Sequence, residues 1–289
     1  MGRHVVEKLV QRGVSRENIF VPRSKDFDLR KRNVCEFVVR GQNVVIHLAG
    51  STGGIVFHKE RPAQTFYDNL MMGVELMDAS RVAGVEKFIT IGTAMEYPEG
   101  APVPLKEDDL WSGFPEEIHI PYAIAKKMLL VQAQAYKKQY GFSGIHLLHT
   151  NMYGPGDENS SFVLPTLIKR IMEAKKKNLS FIDVWGTGNA TRDFLYVEDA
   201  AGGIILAAER YESAEPVNIG SGREVSIRDV VELLAKLTDF SGEIRWDTSK
   251  PEGHMRRILD VSRAEREFGF RAKTSFEEGL PRTVKHHGY

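Results

Sequence analysis

The sequence is short of several things that would point to particular functions. It carries one cysteine, Cys35, in 289 residues, which excludes an internal disulfide framework and any site built on several thiolates. Basic and acidic residues number 39 each, so the formal charge is zero, and no basic block supplies the cationic face that non-specific nucleic-acid binding needs. No apolar run approaches the ~20 residues of a membrane-spanning helix. The opening MGRHVVEKLVQRG has no apolar secretory core. The nine histidines show no short ligand spacing, so no metal is expected. These absences lead us to expect a cytoplasmic protein that engages neither membrane nor nucleic acid. The rest, 42% hydrophobic and 27% charged, has enough apolar surface for one large globular domain or two smaller ones.

What is present alternates between helical and strand periods. Val5, Val6, Leu9 and Val10 form the apolar stripe of a first helix ended by Gly13. Short apolar runs predict strands at Ile19–Val21, Val44–Leu48, Lys87–Ile91 and Ile145–His149, with helices at Pro62–Val82 and Tyr122–Tyr140 between them. The runs lack in–out alternation, as expected when both faces of a parallel sheet are covered by crossover helices. After about residue 154 the rhythm changes. Predicted there are a helix at Val163–Ala174, a strand at Phe181–Trp185, a helix at Ile227–Leu237, a strand at Ile244–Trp246 and a helix after Ser275. The expected fold is α/β: a Rossmann-like doubly wound parallel sheet formed by 1–153 plus 194–221, with a smaller α+β substrate region formed by 154–193 plus 222–289.

The sharpest local signal is Tyr122-Ala-Ile-Ala-Lys126 on a predicted helix. Residues four apart share a helix face, and a nearby ammonium favours a phenolate, moving the tyrosine towards acid–base work. Taken alone, this spacing is common in ordinary amphipathic helices. Its neighbours raise its meaning. Upstream, a strand runs into Gly-Thr93-Ala-Met95-Glu-Tyr97, placing a hydroxyl at the carboxyl end of the sheet, where open α/β folds bind ligands. Downstream lies Thr-Asn151-Met-Tyr153-Gly-Pro155.

With these motifs the chain resembles the extended short-chain dehydrogenase/reductases that act on nucleotide sugars, and within them the GDP-fucose synthase branch. Further ordered matches are His47-Leu-Ala-Gly50, Gly53-Gly54-Ile55-Val56, Val184-Trp-Gly-Thr-Gly188, Arg192-Asp-Phe-Leu195, Asn218-Ile-Gly-Ser-Gly222 and Ser249-Lys-Pro-Glu-Gly253. The resemblance implies that Tyr122 exchanges a proton with the sugar oxygen, that Lys126 holds the nicotinamide ribose, and that Thr93 hydrogen-bonds the reacting oxygen. It implies Asn151 and Tyr153 at the nicotinamide end of a cofactor cleft, with Asp28, Leu29, Leu48, Ala49 and Gly50 bordering the adenosine half. Phe162, Arg170, Trp185, Arg192, Lys250 and Arg256 match positions lining the nucleotide-sugar pocket, where an arginine fork suits phosphate oxygens. For Trp185 a core aromatic reads equally well, and for Lys250 and Arg256 so does a solvated surface. Arg23 and Lys25 after the second predicted strand favour the 2′-phosphate of NADP, with NAD as the other option and a solvated basic turn as the plain reading. A homodimer through the helices Pro62–Val82 and Tyr122–Tyr140 is implied as well; Phe66, Leu70, Met71, Val74 and Met77 give the first more than one apolar face.

Two features depart from that family's pattern. Dinucleotide folds open with a strand and a glycine-rich turn, but here only Gly2 matches the last glycine of that turn. The expectation is that the opening strand stands upstream of Met1 and that cofactor binding suffers without it. The second departure concerns chemistry. Fucose synthases epimerise two ring carbons with a cysteine and a histidine before reducing a ketone. In register, those positions are Met95 and Phe162. Neither side chain exchanges protons. The reading is therefore an NAD(P)-dependent nucleotide-sugar reductase or epimerase. Its alternatives are a fucose synthase proper with Glu96, His58 or His119 as substitute base, or a non-catalytic nucleotide-sugar-binding protein.

Overall fold

In the computed structural model, which describes residues 1–157, 162–250 and 254–288, helices and strands alternate through the first two thirds of the chain. In order, the elements are α1 (Gly2–Gln11), α2 (Arg32–Val38), β1 (Val44–His47), α3 (Ile55–Glu60), α4 (Pro62–Val82), β2 (Lys87–Thr93), α5 (Ile120–Tyr140) and β3 (Ser143–His149). Then come β4 (Asn151–Tyr153), α6 (Val163–Lys176), β5 (Phe181–Trp185), β6 (Thr191–Tyr196), α7 (Val197–Arg210) and β7 (Val217–Ile219). The chain finishes with β8 (Glu224–Ser226), α8 (Ile227–Leu237), β9 (Glu243–Asp247), β10 (Arg256–Arg257), α9 (Ser262–Phe268) and α10 (Phe276–His286).

The central sheet runs β1-β2-β3-β7, parallel throughout. Its faces are both buried, which is why its strands read as unbroken apolar runs. Ile89, Ile145, Leu147, Val217 and Ile219 pack with Val5 of α1, Ala200 and Ile204 of α7 and Phe268 of α9. Phe88 points the other way, into Leu76 and Met77 of α4, Leu129 and Ala133 of α5 and Cys35 of α2. Helices α4 and α5 approach closely because Gly73 has no side chain: a Cβ there would sit 2.4 Å from Leu129 Cδ1. Pro62 starts α4, and Gly141 ends α5 in the left-handed region at φ 69°, the conformation in which glycine pays no Cβ penalty.

A second layer forms from β10-β6-β4, with β8 antiparallel on β6, and from the parallel pair β5-β9. Its core is Leu164, Leu167, Ile168 and Ile171 of α6 against Val230, Val231 and Leu234 of α8 and Phe276 and Leu280 of α10. Capping boxes fix the starts of α8 (Ser226 with Asp229) and α10 (Ser275 with Glu278).

The expected strand at Ile19–Val21 is not one. The segment pairs with no strand among the described residues, and an extended run without a hydrogen-bonded neighbour is not sheet. The helices α2, α3, α7 and α9 and the strands β4, β6, β7, β8 and β10 add to the predicted set.

Candidate active site

The carboxyl ends of β2 and β3 lie side by side, with Thr93 in register with His149, and β4 continues from there. They open onto a cleft of about 360 Å³, within the range of small-ligand sites. Thr93, Met95, Tyr122 and Lys126 line it together with Leu48, Gly50, Thr52, His149, Asn151, Tyr153, Phe162 and Arg257.

Each reactive group is held by local structure. Thr93 closes β2 and caps the 3-10 turn Ala94–Glu96: its Oγ1 accepts from the Met95 N–H at 3.3 Å, and Glu96 Oε1 accepts from its own N–H at 2.8 Å. Glu96 is pinned in turn by His146 Nε2 at 3.0 Å, and both are fully buried. Tyr122 and Lys126 lie one turn apart at the start of α5. Lys126 is 4% exposed, and its Nζ makes no hydrogen bond or ion pair with the described residues. Burial pulls it down to about 8, against the nearby Glu96, which favours the ammonium.

Tyr122 behaves differently from the expectation that the lysine lowers it. Burial pushes its phenol up to about 12, and only a hydrogen bond with Thr52 opposes this. Desolvation of the phenolate dominates, and the negative charge of Glu96 adds to the rise. The consequence is a phenol that stays protonated through the neutral range. Thr52 carried no signal in the sequence.

The other predicted residues divide. Leu48, Gly50, Asn151, Tyr153 and Phe162 line the cleft, while Ala49, Gly2, Arg23, Asp28 and Leu29 do not. Asp28 and Arg30 pair at 2.8 Å, and Arg30 reaches Asp68 at 2.8 Å. Arg23 sits exposed in a turn, and Leu29 packs on the Phe88 side of the core. Arg170 is engaged with the Asp183 carbonyl. Trp185 is 54% exposed at the end of β5, which removes the core reading, and it does not line the cleft. Lys250 follows the turn at Asp247, and residues 251–253 of its motif, like 159–161 before Phe162, lie outside the described residues.

The cleft takes Arg257 in place of Arg256, the arginine read from the sequence. Arg256 turns outward and forms a paired contact with Glu224 at 2.8 Å, whereas Arg257 lines the cleft. In a strand, neighbouring side chains point to opposite faces, so one position decides which arginine enters. Burial and the adjacent Arg192 pull Arg257 down to about 10. Arg192 itself donates to the His254 carbonyl at 2.6 Å. Of the substitute bases considered, Glu96, His58 and His119, none lines the cleft. No cluster of His, Cys, Asp and Glu among the described residues could hold a metal ion.

Residues 1–220 match the NAD dependent epimerase/dehydratase family. The chain belongs to that family. A GDP-L-fucose synthase from Sinorhizobium fredii is 38% identical over 273 residues, which cover 93% of this chain and 87% of that one. A GDP-mannoheptose C4 reductase from Campylobacter jejuni, solved with NADP bound, superposes with a TM-score of 0.90 at 26% identity, covering 100% of this chain and 95% of its own. A UDP-glucose 4-epimerase from Thermotoga maritima, solved with UDP-glucose, gives 0.85 at 26% identity over 99% and 94% of the two chains. The protein is thus an NAD(P)-dependent nucleotide-sugar epimerase/reductase, and its sheet is of the Rossmann kind found in these enzymes. None of its described helices is long and apolar enough to cross a membrane.

The cleft suits a dinucleotide on its own evidence. Gly50 leaves a bare backbone beside Lys126: a Cβ there would lie 3.6 Å from Lys126 Nζ and 3.4 Å from Asn69 Oδ1. A buried, unpaired ammonium next to that bare backbone is a natural partner for ribose hydroxyls. Leu48, Ile91 and Met152 give the cleft an apolar wall.

Proposed function

We propose that this protein reduces the 4-keto group of a GDP-linked sugar with NADPH and does not epimerise the neighbouring ring carbons. The observation that carries the reading is one cleft lined by Thr93, Tyr122 and Lys126 together with Met95 and Phe162. The first three are a complete set for carbonyl reduction; the last two offer no exchangeable proton. NADPH supplies the hydride when bound. Tyr122 gives its phenolic proton to the sugar oxygen, and its upward shift keeps that proton available throughout the neutral range. Thr93 Oγ1 donates a hydrogen bond to the same oxygen. Lys126 holds the ribose and steadies the phenolate left behind.

For the remaining contacts, Asn151 and Tyr153 border the nicotinamide half and Asp28 with Leu29 the adenosine half; Leu48 and Gly50, read from the sequence onto the adenosine half, share the cleft with Tyr122 and Lys126 and are reassigned to the nicotinamide end. Exposed Arg23 suits a 2′-phosphate. Arg257, with Arg192 beside it, meets the sugar diphosphate. Residues 1–153 plus 194–221 serve the cofactor and the rest of the chain the sugar. Exposed Phe66 and Tyr67 on α4 and Val131 on α5 support a homodimer through these two helices. The free thiol of Cys35 suits the cytoplasm. The test is Tyr122→Phe, which keeps the ring and removes the proton donor. Hydride transfer from NADPH to GDP-4-keto-6-deoxymannose, followed in a single turnover, should fall by roughly 10²–10⁴ with nucleotide-sugar binding retained. A near-normal rate would overturn the assignment.

A further inference from the structure

Tyr122 can give up its proton only once per cycle, and a tyrosine this buried needs a route by which the proton returns. Beside it stands a row of histidines, none of which lines the cleft, that the reaction itself does not use. His58, on α3, is 3% exposed and lies with its ring centroid 5.3 Å from that of Tyr122. Its Nε2 is 3.4 Å from Thr52 Oγ1, and Thr52 in turn hydrogen-bonds the Tyr122 phenol. His58 also hydrogen-bonds the Gly53 backbone. On its far side the His58 ring stands edge-to-face with His119, 5.1 Å between centroids. His119 Nδ1 bonds Glu116 Oε2 at 2.9 Å, and the same oxygen accepts from His254 Nε2 at 2.8 Å. The side chains of Glu116 and His254 are 30% and 29% exposed, so the row ends at water.

We propose that His58, acting through Thr52, returns the proton to Tyr122 from the solvent-facing His119–Glu116–His254 cluster. The proposal rests on Tyr122 being the proton donor. In the step, the Tyr122 O–H bond breaks as the sugar oxygen gains its proton. The Thr52 hydroxyl proton then passes to the phenolate oxygen, and Thr52 Oγ1 takes the proton from His58 Nε2. The imidazole is recharged from the cluster, a ring rotation of His58 or His119 carrying the proton across their edge-to-face contact, and the source is bulk water. No oxidant or further reactant enters. Burial and the neighbouring His119 hold His58 below the usual histidine range, against the Gly53 contact, which makes its charged form a ready donor to a phenolate. His119 is lowered too, by burial against the opposing pull of Glu116, so neither ring traps the proton. His58 here is a positioning and relay residue and touches no substrate.

The test reads the Tyr122 hydroxyl itself and needs no turnover. Protein carrying [13Cζ]tyrosine is observed in equal volumes of H₂O and D₂O, with the Tyr122 resonance assigned by its loss in Tyr122→Phe. Slow hydroxyl exchange gives two 13Cζ lines, one for OH and one for OD; fast exchange merges them. The relay predicts a merged line in the unaltered protein. It predicts a split line, from exchange slowed about tenfold or more, in both His58→Phe and Thr52→Val. The remaining tyrosine lines report whether each variant is folded, and if His58→Phe is not, Thr52→Val decides. A split line in the unaltered protein, or a merged line in either folded variant, would overturn the relay. A failure of Tyr122 as proton donor would appear instead in the turnover of Tyr122→Phe and leave these lines as they are.

Discussion

Replacing Gly92 with alanine should destabilise the protein and disturb its active site through one methyl group. Gly92 lies in β2, immediately before Thr93, and a Cβ there would fall 2.3 Å from His146 Nε2 and 2.4 Å from Glu96 Oε1. Those two atoms belong to side chains with no exposed surface, joined to each other at 3.0 Å, so neither can swing into solvent. The methyl must therefore shift the strand or separate the pair. Overpacking of this kind costs about 1–3 kcal/mol, and a buried hydrogen bond left unmade costs about 1–3 kcal/mol more. A total of about 2–6 kcal/mol should lower Tm by roughly 4–24 °C in a reversible melt, at about 2–4 °C per kcal/mol for chains approaching this size. Because Glu96 also holds the Thr93 N–H at 2.8 Å, kcat should fall with stability. The control is His146→Ala, which removes one of the two clashing side chains and leaves Glu96: adding Gly92→Ala on that background should cost less than in the unaltered protein. An unchanged Tm for Gly92→Ala, or the same penalty with and without His146, would refute the reasoning.

Two further predictions concern binding. Lys126 is drawn down to about 8, so it is charged below that pH and neutral above it. NADPH affinity, measured by nucleotide fluorescence, should therefore be highest below pH 8 and fall as pH rises through it, and Lys126→Arg should remove the fall; a flat profile would contradict the role given to the ammonium. Arg257→Leu should raise KM for the nucleotide sugar by roughly 10–150-fold with little change in kcat, since bonds to charged groups are worth about 1.5–3 kcal/mol. Arg256→Leu, which breaks only a surface contact with Glu224, should leave KM within about twofold, and equal effects would show the register argument to be wrong.

Much of this was legible in the sequence, and the exceptions have physical causes. Helices Pro62–Val82 and Ile227–Leu237 and the strand Phe181–Trp185 carry clean local signals, and they fold with those bounds. Ile19–Val21 has the composition of a strand, but sheet membership depends on a neighbour that local pattern does not encode. Thr93, Tyr122 and Lys126 were readable because their spacing ties them to one strand end and one helix turn. Thr52 was not, since it reaches Tyr122 from a loop. The pair Arg256-Arg257 turned on a shift of one residue, which in a strand reverses the side chain's face. Trp185 is the opposite case: an aromatic at the end of a strand gives no hint from sequence of whether it points inward or into water. The direction of the Tyr122 shift also needed the fold, because desolvation depends on what surrounds the ring.

The central claim, reduction without ring epimerisation, is tested most directly by isotope incorporation. The protein is incubated with GDP-4-keto-6-deoxymannose and NADPH in heavy water, and the sugar is analysed by mass spectrometry and NMR. Epimerisation next to a ketone removes a carbon-bound proton and returns one from solvent, and Met95 and Phe162, both lining the cleft, can do neither. The account predicts consumption of NADPH and a reduced product with no deuterium at C3 or C5. Deuterium at those carbons, with GDP-fucose as the product, would contradict it.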